Sequence, residues 1–398
     1  MARFVLRYGA RVDALDREFS LVNDPVLRLL RVLRICPPDG FAATRRALLL
    51  AGISWIPIIV WAALSGHLHP TVQDESLMRH LGVHVRCLIG IPLFILSEPF
   101  ADRVMRVLVG NFTLSGLIRA EDRARFDDVV RSVERLRDSR LAWIAMRALV
   151  IVSAIVSRRT WLTEDADALV WSTNHAALDF GGSWAMLVVR PLFLFMLLQW
   201  LWRLILTWVL FRRISKLDLQ LVPSHPDHVG GLGFIRLHSL AFSMVVFAIS
   251  SVVCVAVAHQ MLAHDATFAQ YQVLLIFLTA LLAVLFMLPL SAFQGVIRRT
   301  SVRAQFDYGT LSGRHVRALH ARWVQGRSVE DDILSAPEIG PAADVATLYS
   351  MGTSMRMVPV GKFQIGALVV PALLPVLLVA SVEVPITDIL IRIIKTLS

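Results

Sequence analysis

Apolar runs long enough to cross a bilayer recur seven times along the chain, and polar, arginine-rich segments separate them. A run of about 20 apolar residues spans the hydrocarbon core as a helix, which satisfies its own backbone hydrogen bonds where water is absent. The sequence therefore predicts an all-α fold, a polytopic membrane helix bundle of about seven transmembrane helices. The predicted spans are residues 46–66, 81–104, 141–156, 183–211, 237–262, 271–297 and 363–380.

Basic residues are distributed unevenly between alternate connecting segments. The N-terminal segment and every second loop after it hold 31 of the 40 lysines and arginines, whereas the other set holds five. Cytoplasmic loops of membrane proteins collect Lys and Arg. The alternation predicts that the N-terminus is cytoplasmic and that the C-terminus lies on the other side.

Three segments on the predicted cytoplasmic side are long enough to be structured. Residues 1–45 include "DPVLRLLRVLRI", whose apolar and arginine faces are typical of a helix on an anionic membrane surface. Residues 105–140 and 298–362 are predicted to form amphipathic helical loops. On the outer side, "VPITDILIRIIKTLS" is interpreted either as an interfacial helix or as a last turn packed on the bundle. We therefore expect one membrane domain, residues 46–398, with membrane lipids, including anionic headgroups at the inner face, as partners.

Composition supports the membrane class. Hydrophobic residues make up 56% of the chain and charged residues 18%, whereas soluble domains carry about 25% charged residues. The formal net charge of +10 follows from the basic loops, so nucleic acid is not a predicted partner. The three cysteines are far apart and form no metal-binding or CxxC spacing, so they predict no disulfide, and no cofactor is predicted.

Charged residues inside the spans carry the main functional hypothesis, because an ionised group in the bilayer core needs a partner or water. Sorting them by depth gives two groups. The predicted inner group is Glu98, Arg147 and Arg203, and the predicted outer group is Arg86, Arg190 and Glu383. The functional interpretation is a polar path with one vestibule in each leaflet, and the alternative is structural ion pairs that fix helix packing. Arginines outnumber glutamates, so an anion is the favoured cargo.

Prolines interrupt the same spans. Pro92 and Pro99 lie in the second span, and Pro191 directly follows Arg190 in the fourth. Each proline removes a backbone donor. Broken helices next to charges often mark substrate sites in transporters.

The loop before the fifth span, "LVPSHPDHVGGLGF", concentrates polar and turn-forming residues. One interpretation is a structural hairpin that docks the loop against the bundle. A second is a gate or an anion-binding mouth at the start of a helix. A third, disfavoured because the proline crowds the ligands, is a metal site. The residues concerned are His225, Asp227, His228, Gly230, Gly231 and Gly233.

Several stretches together resemble a group of uncharacterised bacterial inner-membrane proteins with an HPD-x-x-GGLGF cytoplasmic loop. They are "VRCLIGIPLFILSEPF", "WLWRLILTWVLFRRISKLDLQLVPSHPDHVGGLGFI", "MRMVPV" and "VEVPITDILIRIIKTL". The resemblance implies a bacterial inner-membrane location with a periplasmic C-terminus. It implies no mechanism.

No catalytic motif such as G-x-S-x-G or H-E-x-x-H is present, so an enzyme is not predicted and a lipid-linked enzyme ranks last. The favoured function is a channel or transporter for a small ion, preferably an anion. The alternative is a membrane-anchored signalling or assembly protein whose cytoplasmic helices bind a partner. A large, charge-lined cavity would support transport, and a tightly packed bundle with every buried charge paired would favour the alternative. Either function is compatible with a homo-oligomer.

Overall fold

A computed structural model describes residues 19–32, 34, 36–37, 41–68, 76–164, 170–174, 177–264, 266–327 and 342–383. Residues 1–18 of the predicted amphipathic N-terminal segment lie outside these described residues. The predicted outer C-terminal helix also lies outside them.

The described chain is an all-α bundle, and seven of its helices are long and apolar enough to cross a membrane. This confirms the predicted fold class. The α-helices are α1 Pro25–Val32, α2 Ala43–Ser65, α3 Leu81–Val85, α4 Ile91–Leu114, α5 Arg123–Arg137, α6 Arg140–Glu164, α7 Phe180–Trp184, α8 Arg190–Ile214, α9 Leu237–Ala263, α10 Phe268–Met287, α11 Gln294–Trp323, α12 Ala342–Thr353 and α13 Lys362–Ala380.

Seven spans are built from these helices. Span 1 is α2, span 3 is α6, span 5 is α9, span 6 is α10 and span 7 is α13. Span 2 joins α3 to α4, and span 4 joins α7 to α8, each through a π-helical turn. Short 3-10 helices occur at Leu77–Arg79, Val170–Ser172, Leu232–Arg236 and Leu288–Phe293, and the strands β1 Thr173–Asn174 and β2 Ala177–Leu178 form an antiparallel pair. We call the end of the bundle at the start of α2 the inner end, after the predicted orientation.

The π-helical turns of spans 2 and 4 each precede a proline. The turn at Arg86–Gly90 comes just before Pro92, and the turn at Ala185–Val189 comes just before Pro191. A proline has no N–H to donate to the carbonyl one turn earlier, so the upstream ladder shifts its register locally. Such π turns are frequent at functional sites. Of the two predicted outer arginines, Arg86 begins the first turn and Arg190 directly follows the second.

Spans 2, 4 and 5 pack closely. A Cβ added to Gly90 would lie 3.0 Å from the Phe193 ring and 3.1 Å from the Val252 side chain, so glycine is needed for this approach. The buried indole of Trp200 donates a hydrogen bond of 3.1 Å to the Phe94 carbonyl and links span 4 to span 2. These contacts form the centre of the membrane domain.

Span 3 is peripheral. It packs mainly on span 4 and is the least buried of the seven spans. Leu149, Ile151, Val152 and Ile155 are exposed on its outward side, as expected for a helix that faces lipid. Span 3 therefore lies at the edge of the bundle, with its outward side available to lipid.

The N-terminal segment differs from the predicted surface helix. Phe19, Leu21 and Val22 are buried, and Phe19 and Leu21 belong to the same apolar cluster as parts of spans 2 and 4 at the inner end. Only the eight-residue α1 follows, and it leaves Leu29 and Val32 exposed. Residues 19–24 thus insert into the protein, and the surface location predicted from the amphipathic pattern applies at most to α1.

Candidate functional site

A row of alternating charges is buried at the inner end. The Arg46 guanidinium lies 2.5 Å from one oxygen of Glu98, and the Arg203 guanidinium lies 3.0 Å from the other. The same nitrogen of Arg203 lies 2.9 Å from Asp24. None of the four side chains is more than 8% exposed. We call Asp24, Arg46, Glu98 and Arg203 the inner charge layer.

Each member of the inner charge layer is placed by a different element. Arg46 lies in the first turn of α2, Glu98 precedes Pro99 in α4, and Arg203 lies on α8 with its guanidinium 4.7 Å from the centre of the Trp200 ring. Asp24 also accepts a hydrogen bond of 2.9 Å from the Leu27 N–H and so caps α1. Burial raises the pKa of Asp24 above its ordinary value, although Arg203 and the Leu27 N–H oppose the shift.

A second set of contacts fastens the N-terminal segment beside this layer. Asp102, one turn after Glu98, accepts a hydrogen bond of 2.5 Å from the Ser20 hydroxyl and pairs with Arg106 at 2.9 Å. Arg137 donates to the Ser20 carbonyl, and Arg28 pairs with Asp138 at 2.6 Å. Residues 19–24 are therefore tied to α4, α5 and α8 by polar contacts as well as by burial.

Two buried donors of the inner charge layer have no hydrogen-bond partner within the described part of the chain. They are the Nε of Arg46 and the Nη1 of Arg203. A buried unsatisfied donor is costly, and a donor on a cation more so. These two N–H groups are suited to a water molecule or an anion.

Of the predicted inner group, the structure brings Glu98 and Arg203 together and leaves Arg147 apart from them. On α6, Trp143 and Met146 turn toward the bundle, whereas Arg147 is exposed and has no ion pair with any described residue. Sequence gives the depth of Arg147 along the helix, but its direction around the helix depends on how span 3 packs.

Sequence reasoning missed Arg46, Asp24 and Asp102. Arg46 stands at the boundary of the first apolar run, where sequence alone does not distinguish it from the other arginines of the basic N-terminal segment. Asp24 was assigned to a surface helix, and its partner Arg203 is 179 residues away. The only signal in the sequence was a lone acidic residue before "PVLRLLRV", which is typical of a helix cap.

The structure places two members of the predicted outer group together and the third elsewhere. Arg86 and Arg190 line one cavity of about 210 Å³ together with Ser153 and Ser157 of span 3. Its apolar lining includes Met186, Pro191, Phe193 and Leu194. Glu383 is not among the described residues that line this cavity, and its carboxylate accepts a hydrogen bond of 2.8 Å from the Phe268 N–H at the start of α10. We call this space the arginine cavity.

The glycine-rich loop binds a carboxylate of its own. One oxygen of Asp227 accepts hydrogen bonds from the Val229 and Gly231 N–H groups at 2.9 and 3.1 Å, and the other accepts from Gly233 at 2.8 Å. Although partial burial of Asp227 opposes it, these three donors hold the pKa of its carboxyl below the ordinary value. The donors expected for a foreign anion are thus already used.

Backbone conformation explains the glycines of this loop. Gly230 and Gly231 have φ of 71° and 96°, in the left-handed region that favours glycine. A Cβ on Gly233 would lie 2.9 Å from the Asp227 carboxylate. The loop also docks a later segment, since the Arg356 N–H donates to the His228 carbonyl at 2.8 Å. These contacts favour the structural-hairpin interpretation over an anion-binding mouth.

The metal interpretation of the loop gains no support. His225 lies 2.9 Å from Asp227, but the described residues contain no group of three His, Cys, Asp or Glu side chains placed to hold a metal ion. The His228 ring instead contacts the Ser354 hydroxyl at 3.2 Å.

Seven apolar helices, with lipid-type residues exposed on their outer faces, define this chain as a multi-pass membrane protein. Comparisons with family models, with curated proteins and with solved structures gave no match. The resemblance to bacterial inner-membrane proteins thus stays a prediction, and function has to be inferred from the two sites.

Proposed function

We propose that the protein transports a small anion across the membrane, and that this structure is a conformation closed at the inner end. The observation that carries the proposal is the arrangement of two sites of different character. The described lining of the arginine cavity contains two arginines and no acidic residue, whereas the inner charge layer has two acids and two arginines.

The arginine cavity supplies what an anion needs inside a membrane. Its arginines offer charge, Ser153 and Ser157 offer hydroxyl donors, and apolar side chains complete the wall. It also lies beside the π-helical turns of spans 2 and 4, where the helices are locally irregular. Irregular helices around a charged site in the membrane are a common feature of transporters.

The inner charge layer supports a closed state. Removing one partner from a buried ion pair typically costs about 3–5 kcal/mol, because a charge is left uncompensated. An anion arriving at Arg46 or Arg203 would replace a carboxylate as the partner and so would avoid that cost. The unsatisfied N–H groups of these two arginines give the anion a first contact.

The N-terminal segment completes the closure. Asp24 supplies one acid of the layer, and the neighbouring Phe19 and Leu21 pack with apolar residues of α4, α5 and α8. Withdrawal of residues 19–24 would remove the Asp24 carboxylate and the apolar filling together. We therefore assign this segment as the inner gate.

The test is anion flux into liposomes that contain the purified protein, measured across chloride, nitrate, sulfate and phosphate. Wild type should give saturable uptake of at least one anion above protein-free liposomes. Arg86→Gln and Arg190→Gln should abolish most of it. Arg147→Gln is the matched control, because it removes the same charge from a span but from an exposed position, and it should retain uptake. Equal loss in all three variants, or no uptake of any anion, would contradict the proposal.

A second candidate, a signalling or assembly protein, is favoured by one observation. The 30-residue α11 has exposed Val302, Arg303 and Phe306 near its start, an apolar and basic surface suited to a partner. If the protein moves no anion, and Phe306→Ala with Arg303→Gln abolishes its cellular phenotype while wild-type melting temperature is kept, this second function is preferred.

A further inference from the structure

We infer that the arginine cavity binds a phosphoryl oxyanion, through Arg86, Arg190, Ser153 and Ser157. This inference rests on the proposed transport function and specifies its substrate class. The donor set is two guanidiniums from spans 2 and 4 and two hydroxyls from span 3. Three separate spans therefore converge on one ligand position.

The hydroxyls are the first line of support. Serine and threonine inside a helix commonly donate to the carbonyl three or four residues earlier. Ser97, Ser251 and Thr279 do so in this bundle, at 2.5, 2.8 and 2.9 Å. Ser153 and Ser157 line the cavity instead, and neither hydroxyl has a hydrogen-bond partner among the residues that the structure describes.

The spacing of Ser153 and Ser157 is the second line of support. Residues 153 and 157 are four apart, so both hydroxyls lie on the same side of α6, one above the other. Ile151, Val152, Ile155 and Val156 occupy the outward side and are exposed. An otherwise lipid-facing helix thus turns two polar residues toward the cavity.

The arginines select the ligand chemistry. A guanidinium presents planar paired donors that match the oxygens of phosphate or carboxylate, and two guanidiniums with two hydroxyls suit a tetrahedral group better than a spherical halide. The Arg86 guanidinium lies 5.8 Å from the centre of the Phe193 ring, which restricts its orientation. A cavity of about 210 Å³ has room for a phosphoryl group and water, but not for a whole lipid.

Two sources present this chemistry, free phosphate and the headgroup phosphate of a membrane lipid. Span 3 contributes one wall of the cavity and is exposed on its outward side, so entry from the membrane would be short. The two sources are distinguished by experiment.

The first arm measures equilibrium binding of radiolabelled inorganic phosphate to delipidated protein in detergent. The second measures the melting temperature of the protein in phosphatidylcholine nanodiscs with and without phosphatidic acid. The variants are Arg86→Gln, Arg190→Gln and Ser153→Ala with Ser157→Ala, and Arg147→Gln is the control. The serine variant perturbs only the peripheral span, so it tests the site even where an arginine variant fails to fold.

Loss of a charge-assisted hydrogen bond should weaken phosphate binding about tenfold or more, with a smaller loss for the serine pair and none for Arg147→Gln. That result supports the site with free phosphate as ligand. Stabilisation by phosphatidic acid alone, absent in the cavity variants, supports it with a lipid phosphate as ligand. Absence of both effects, or an equal loss in Arg147→Gln, overturns the inference.

Failure of the phosphate-site inference can be distinguished from failure of the transport proposal. Phosphate binding without anion flux would leave the site standing and remove the transport function. Anion flux that is unchanged in Arg86→Gln and in the serine pair would leave transport standing and remove the site.

Discussion

Glu98→Gln is the most informative perturbation of the inner charge layer. Within the inner charge layer, Glu98 is the acid that bridges two arginines, with its oxygens 2.5 Å from Arg46 and 3.0 Å from Arg203. Glutamine keeps the shape but removes the charge and turns one acceptor into a donor. Arg203 retains Asp24 at 2.9 Å, whereas Arg46 has no second ion pair within the described residues.

The magnitude follows from burial. Breaking a buried ion pair from one side typically costs about 3–5 kcal/mol, since the other charge stays buried and unpaired. With an unfolding entropy of about 2.1 cal/mol/K per residue, this lowers the melting temperature of a chain of this length by roughly 4–6 °C. The assay is thermal unfolding of the detergent-solubilised protein, followed by tryptophan fluorescence at fixed heating rate.

Glu121→Gln is the matched control. It makes the same chemical change at an exposed pair, where Glu121 lies 3.4 Å from Arg119 and is 72% exposed, and surface changes of this kind stay within about 0.5 kcal/mol. The double variant Arg46→Gln with Glu98→Gln should lose less than the sum of the single losses, because it leaves no orphaned charge at Arg46. A melting temperature for Glu98→Gln equal to that of Glu121→Gln, or strictly additive losses, would refute the reasoning.

Three further predictions concern the gate and the loop. Asp24→Asn should weaken the contact with Arg203 and raise anion leak in liposomes above wild type, and a rate equal to or below wild type would contradict the gate assignment. Asp227→Asn should lose about 1.5–3 kcal/mol near neutral pH, where the wild-type carboxylate accepts charge-assisted hydrogen bonds. Because the folded pKa of Asp227 is depressed, this stability is present above the ordinary value of 3.8 and is lost as pH falls below it, so denaturant unfolding should show the gap to wild type narrowing there. Gly233→Ala should cost about 1–3 kcal/mol in the same assay, because its methyl group would crowd Asp227, and an unchanged midpoint would show that the loop relaxes freely.

The helical spans were predictable because lipid leaves the chain few alternatives. Apolar length determines each span, and the structure has a helix at every predicted one, although span 2 continues to Leu114, beyond the predicted end at residue 104. Span 2 extends because the inner ends of α4 and α8 pack on the N-terminal segment. No local sequence pattern predicts that contact.

The partners of the charged side chains were less predictable from sequence than the depth of these residues along the spans. Glu98 and Arg203 meet as expected, whereas Arg147, at similar depth, faces away because Met146 takes the buried position beside it. Asp24 and Arg46 entered the layer through long-range packing that spacing does not encode.

The glycine loop shows a different limit. Its N–H donors suggest an anion from sequence alone, and in the structure their acceptor is the Asp227 carboxylate of the same turn. Sequence identified the chemistry of the turn, and only the fold shows which acceptor occupies it.

The most direct test of the account is the initial rate of anion uptake by proteoliposomes as a function of anion concentration, with wild type and Arg190→Gln side by side. The account predicts a saturable rate for wild type and a rate near that of protein-free liposomes for the variant. Equal rates for both proteins, or no uptake by wild type at any concentration, would contradict the assignment of the arginine cavity as part of a transport path.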